Sequence, residues 1–147
     1  MQTFNKKDIQ LAWCAGIIDG EGTITLTANK GGKKLSNIVP RVLFTMTHKK
    51  SVEEFGKIMK IGKVRRKKRD KIYHKYRYYW QTGGRTAVKI AEILLPYLIT
   101  KKKQAELIIH YKNKCMVEKG VTFIIPEIQR KRRYYVKRIR KLNKKGV

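Results

Sequence analysis

Acidic residues are scarce in this chain: 10 Asp plus Glu stand against 37 Lys plus Arg over 147 residues, a formal net charge of +27 at pH 7. Such an imbalance opposes folding by self-repulsion unless a polyanion or counterions screen it, and nucleic acid is the natural partner. Cysteine is scarce too. Cys14 and Cys115 lie far apart with no C-x-x-C or Cys/His spacing, so neither a disulfide framework nor a zinc site is suggested and two buried, reduced thiols are expected. Missing altogether is a run of the roughly 20 apolar residues that would span a bilayer. Met1 to Asp8 is too short and polar for a signal peptide. With no lipidation signal or broad apolar helix face either, the chain reads as soluble and intracellular, with no membrane partner and no organic cofactor.

What is present suffices for a real core, since 41% of the residues are hydrophobic and the length suits one domain. Asp8 is placed to cap a helix through Ile9, Ala12, Trp13 and Ile17 that stops at Gly20 and Gly22. The period then changes to two, with Thr23, Thr25 and Thr27 on one strand face and Ile24, Leu26 and Ala28 on the other. After a turn at Lys30 to Lys34, a second strand over about 38–47 turns Val42, Phe44 and Met46 inward. Ser51 is the expected cap of a short helix carrying Val52, Phe55, Ile58 and Met59, with Glu54 at the capping-box position and Gly62 ending it. A very basic hairpin spans Lys63 to Gln81, its returning strand beginning near Ile72. A helix from Thr86 to Leu95 stops at Pro96, Thr100 caps the next, and Pro126 opens a last helix that is basic nearly all round. The pattern predicts an α+β domain with one antiparallel sheet. It divides into a core over 1–120 and a basic C-terminal extension over 121–147.

Chemistry concentrates between Leu11 and Leu26. Ala12, Gly16 and Gly20 recur every fourth residue, so they form a helix face almost without side chains, where a second helix could approach backbone to backbone. The motif occurs once. If the second helix is its copy in another subunit, two-fold symmetry brings two Glu21 carboxylates together, and like charges at that distance call for cations between them. Mg²⁺ is the natural choice, and paired metals beside a basic sheet suit phosphodiester hydrolysis. The plainer alternative is that Gly20-Glu21-Gly22 is a helix-to-strand turn bearing a solvated acid.

The stretch C-A-G-I-I-D-G-E-G, Cys14 to Gly22, closely resembles the signature of the LAGLIDADG homing endonucleases, with Cys14 in place of the first Leu and Glu21 as the second acid. The likeness extends to the order of elements over about Phe4 to Tyr111 and to L-P-Y-L-I-T-K-K-K-Q-A before the helix at Gln104. The resemblance implies a helix-strand-strand-helix-strand-strand-helix fold with a saddle-shaped, four-stranded antiparallel sheet. The implied protein is a homodimer packed through Ala12, Gly16 and Gly20, which makes a metal-dependent, staggered double-strand cut in a long pseudo-palindromic DNA site. It also implies Mg²⁺, or another divalent cation such as Mn²⁺ or Ca²⁺, held by Glu21 and the Gly20 carbonyl, with Asp19 structural. His48 and Lys101 take the positions of the polar residue and the lysine around the metals. His48 stands for a more usual Gln, and Val52 falls where a basic residue is common, a role that Lys49 or Lys50 could take. The residues expected to read double-stranded DNA are Thr23, Thr25, Thr27, Asn29, Arg41, Thr45, Thr47, Arg66, Lys68, Lys75 and Arg77, types suited to base edges in a groove. The final basic helix is expected on flanking phosphates. Such a protein works where its host genome is, in an organelle, archaeon, bacterium or phage. An RNA-binding intron maturase and a non-catalytic DNA-binding regulator on the same fold are the alternatives.

Overall fold

A computed structural model describes residues 3–28, 38–117 and 125–144. The elements follow the predicted order: α1 (Lys6–Glu21), β1 (Gly22–Ala28), β2 (Ile38–Met46), α2 (Lys49–Met59), β3 (Lys63–Lys67), β4 (Arg77–Gly83), α3 (Arg85–Leu94), α4 (Lys102–Cys115) and α5 (Pro126–Leu142). The architecture is α+β as expected, a single antiparallel sheet ordered β1-β2-β4-β3 with the helices packed on one face. Asn29 and the turn at Lys30 to Lys34 lie outside the described residues, as do 118–124.

Strand alternation sorts the sheet into two faces. Ile24, Leu26, Val42, Phe44 and Trp80 point into the helical layer and are buried. Phe44 pairs with Trp80 across β2 and β4, and Phe55 of α2 closes over both with ring centroids 4.6 and 4.7 Å away. The indole N–H of Trp80 donates to the Ile61 carbonyl at 2.9 Å. Gly62 lies against that ring at φ +93, and a Cβ there would sit 2.4 Å from it. Only glycine meets both demands.

Gly22 is fixed by space instead. A Cβ on it would lie 2.7 Å from the backbone of Ile18, while its N–H closes the last turn of α1 onto the Ile18 carbonyl. The helix therefore passes into β1 without a linker, and Glu21 stands at the junction.

Several boundaries differ from the sequence expectation for physical reasons. Asn5, not Asp8, caps α1 by accepting the Lys7 N–H at 3.1 Å, because Asp8 accepts the Tyr97 hydroxyl at 2.6 Å. His48, not Ser51, sits at the cap of α2, and the Ser51 hydroxyl lies 2.8 Å from His48 Nδ1. Lys101 rather than Thr100 precedes α4, its carbonyl accepting the Ala105 N–H. β4 begins at Arg77, so residues 68–76 form the hairpin turn.

The basic tail is also one-sided rather than basic all round. Val136 and Ile139 of α5 join the core, and Asn143 donates to the Ile24 carbonyl of β1 at 3.0 Å. Arg132 is only 3% exposed, and its guanidinium donates to the Cys115 carbonyl at 3.1 and 2.7 Å, which caps the C-terminus of α4. Over its described part, the expected extension packs on α4 and β1.

Candidate active site and nucleic-acid face

The C-terminal turn of α1 separates its two acids cleanly. Asp19 accepts the backbone N–H of Ile99 at 2.8 Å on one oxygen and that of Lys101 at 2.9 Å on the other. The Lys101 ammonium then reaches back to the Asp19 carbonyl at 2.5 Å. Asp19 is thus the bracket that ties the 99–101 turn to α1, and it delivers Lys101 beside the junction where Glu21 stands. Glu21 is exposed and, among the described residues, has no ion-pair or hydrogen-bond partner. The Gly20 carbonyl, in the last turn, lies beyond the donors that the helix itself supplies.

His48 occupies the same end of the sheet. The pairing of Gly22 with Phe44 puts the start of β1 beside the end of β2, and His48 follows two residues after β2 closes. Val52 is fully buried in the core, so no basic residue could stand there without displacing it. Lys49 is paired with Glu53 at 3.4 Å and Lys50 is exposed.

Above Glu21 the outer face of α1 is uncovered. Ala12, Gly16 and Gly20 are exposed, and a Cβ built on either glycine meets nothing within 4 Å. Ile9 and Trp13 continue the stripe at 58% and 39% exposure. Cys14, facing the other way, is fully buried, and burial, with a smaller contribution from Glu54, pushes its thiol up to about 12. It fills space and is unreactive near neutral pH.

Among the described residues no three of His, Cys, Asp and Glu gather into a metal-holding cluster. The donor set at the α1 end is one free carboxylate and a carbonyl, hard oxygen ligands that fit a Mg²⁺-like ion but too few to enclose it.

The sheet face turned away from the helices is open and basic. Thr23, Leu43, Gln81 and Lys63 lie side by side across it, as do Thr45, Tyr79 and Arg65, while Arg41 sits opposite Thr25 and Lys67 opposite Arg77. The register puts Thr23, Thr25, Arg41, Thr45 and Arg77 on this face as expected, with Thr47 just beyond β2. Two placements differ in detail. Thr27 is on the face, yet its hydroxyl is buried without a partner among the described residues. Arg66 pairs with Tyr78 on the opposite parity and lays its guanidinium 4.5 Å over Tyr76, and Lys68 and Lys75 fall in the turn. The β3 residues on the open face are Lys63, Arg65 and Lys67, which sequence reasoning missed, with Tyr79 and Gln81 of β4. The signal was present: Val64 is the one apolar residue between Lys63 and Lys71, and it packs toward Gly56, 3.1 Å from a Cβ placed there.

No protein-family model matches this chain and no curated protein matches it. Solved structures do. The homing endonuclease I-CvuI, in complex with the I-CreI target in the presence of 2 mM Mg, superposes with a TM-score of 0.75 at 22% identity, over 96% of this chain and 87% of that one. An archaeal intron-encoded homing endonuclease, I-Vdi141I, complexed with DNA, gives 0.73 at 14% identity over 97% and 89%. The homing endonuclease I-TnaI gives 0.56 at 20% over 95% and 97%.

Proposed function

We propose, from a chain that has the fold of the LAGLIDADG homing endonucleases, that the protein is a single-motif, homodimeric member of that family and a site-specific, divalent-cation-dependent DNA endonuclease. The observation that carries this reading is Glu21. In a chain of net charge +27, it is an exposed acid with no partner among the described residues, at the foot of an uncovered glycine face and beside a basic sheet. A pure DNA binder gains nothing from an unpaired acid placed where phosphates approach. Two copies of α1 packed through Ala12, Gly16 and Gly20 bring two such acids together, and that supplies the ligands a single chain lacks.

In the proposed dimer, Glu21 and the Gly20 carbonyl of each chain would hold a divalent cation, which would supply Lewis-acid activation of water and of the scissile phosphate. Lys101, fixed through Asp19, presents a positive charge to the phosphate as negative charge develops on it. His48 is oriented by Ser51 and holds water at the edge of the site. The open face of the sheet lies along the major groove, where Arg41, Arg65 and Arg77 suit guanine and Thr23, Thr25 and Thr45 suit several bases. Neighbouring structures crystallised with Mg or Ca alongside DNA support a divalent cation. The exposed side of α5 adds phosphate contacts that are blind to sequence.

The test is cleavage of a plasmid library of candidate insertion sites, with Mg²⁺ or EDTA. Cutting that needs the metal and disappears in Glu21→Gln, while that variant still binds, is the expected result. Tight binding without cleavage under any divalent cation would instead assign a regulator or a maturase.

A further inference from the structure

We propose that the β3–β4 turn is an apolar DNA contact, in which Ile72 and Tyr73 press on thymine methyl or deoxyribose surface beside the end of the sheet where Met46 pairs with Tyr78 and Lys67 with Arg77. This rests on duplex DNA being the substrate. Ile72 is 83% exposed and Tyr73 74%, two large side chains held out in water at the tip of the most basic hairpin in the chain. The turn that presents them is braced. Arg69 donates to the Ile72 carbonyl at 2.9 Å, the His74 N–H donates to the Lys71 carbonyl at 3.0 Å, and Asp70 pairs with Arg77 at 2.7 Å. The guanidiniums of Arg66 and Arg69 also lie 4.5 and 4.2 Å over the Tyr76 ring. A loop ordered in advance loses little entropy on binding.

Charge selects the occupant. Lys67, Lys68, Arg69, Lys71 and Lys75 surround the tip, and its single acid, Asp70, is already paired. That ring fits a polyanion, and duplex DNA presents apolar surface between its phosphates: the thymine 5-methyl in the major groove and the sugar walls. Contacts of this kind displace water rather than counterions, so they strengthen binding without steepening its salt dependence.

The experiment is fluorescence anisotropy of a labelled mixed-sequence duplex across a salt series. The double variant Ile72→Ser, Tyr73→Ser should bind about tenfold more weakly with an unchanged slope of log affinity against log salt. Lys68→Gln, which removes an exposed charge of the same turn, should reduce that slope by about one. Ile72→Val should bind nearly as wild type, which separates lost apolar contact from a disturbed turn. A duplex with uracil in place of thymine identifies the surface. If wild type weakens on it and the double variant does not weaken further, the contact is to methyl groups; if wild type is unaffected, it is to sugars. Wild-type affinity in the double variant, or a reduced slope, overturns the proposal and leaves the tip to a protein partner or to a purely electrostatic role. Absence of any salt-dependent duplex binding by the wild-type chain is a different result, and it removes the endonuclease reading as well.

Discussion

Asp19 uses both carboxylate oxygens on the 99–101 turn, whereas Glu21, two residues on, has no partner among the described residues. The distinction gives the two acids opposite mutational signatures. Asn at 19 keeps one acceptor and faces the other backbone N–H with a donor, so Asp19→Asn should cost about 1–3 kcal/mol of stability. It should also slow cleavage, because Lys101 reaches the junction only through this bracket. Thermal melts and cleavage rates on one preparation check both, and an Asp19→Asn protein as stable as wild type would refute the bracketing role. Glu21→Gln should leave the melt untouched. The notion of two kinds of acid was legible from sequence through the family likeness, but Asp19's partners, 80 and 82 residues away, were not.

At the scale of elements, the change of period at Gly22 made the helix-to-strand passage legible, and the alternation of Thr with Ile and Leu identified the faces of β1. Caps were less legible, since Asn5 and Asp8 are both good capping residues and the choice is made by Tyr97, far along the chain. The parity of β3 was hidden because a run of Lys and Arg has no alternation, apart from Val64. In sequence α5 reads as basic nearly all round for a related reason: charge alone does not reveal that Arg132 turns inward to cap α4. This sets a contrast between neighbours. Arg132→Gln should cost about 1–3 kcal/mol, having left the buried Cys115 carbonyl poorly satisfied. Arg133→Gln, on the exposed side, should leave stability within about 0.5 kcal/mol and instead lower the salt dependence of DNA binding by about one phosphate contact. Urea melts and salt titrations separate the two. Equal destabilisation by both substitutions would contradict the packing of α5. Deleting the whole tail is the poorer test, because Val136 and Ile139 belong to the core.

For the whole molecule, the excess of positive charge, the open basic face of the sheet and the uncovered face of α1 all fit the proposal that the folded chain is half of a DNA-bound assembly. The proposal that Glu21 is half a site is consistent with the scarcity of acids in the sequence. Gly16 and Gly20 carry the decisive consequence. In the single chain their Cβ positions are empty, so Gly16→Ala and Gly20→Ala should leave it as stable or raise stability by roughly 0.5–1 kcal/mol. A larger side chain at the same positions would fill the space that a second α1 would need in the proposed dimer. The most direct measurement is therefore the mass of the cleaving protein by sedimentation equilibrium, for wild type and for Gly16→Leu. Wild type is predicted to be a dimer of 17.3 kDa chains, and Gly16→Leu a folded monomer that no longer makes metal-dependent breaks. A wild-type monomer that cuts, or a Gly16→Leu monomer that cuts as well as wild type, would contradict the two-chain site.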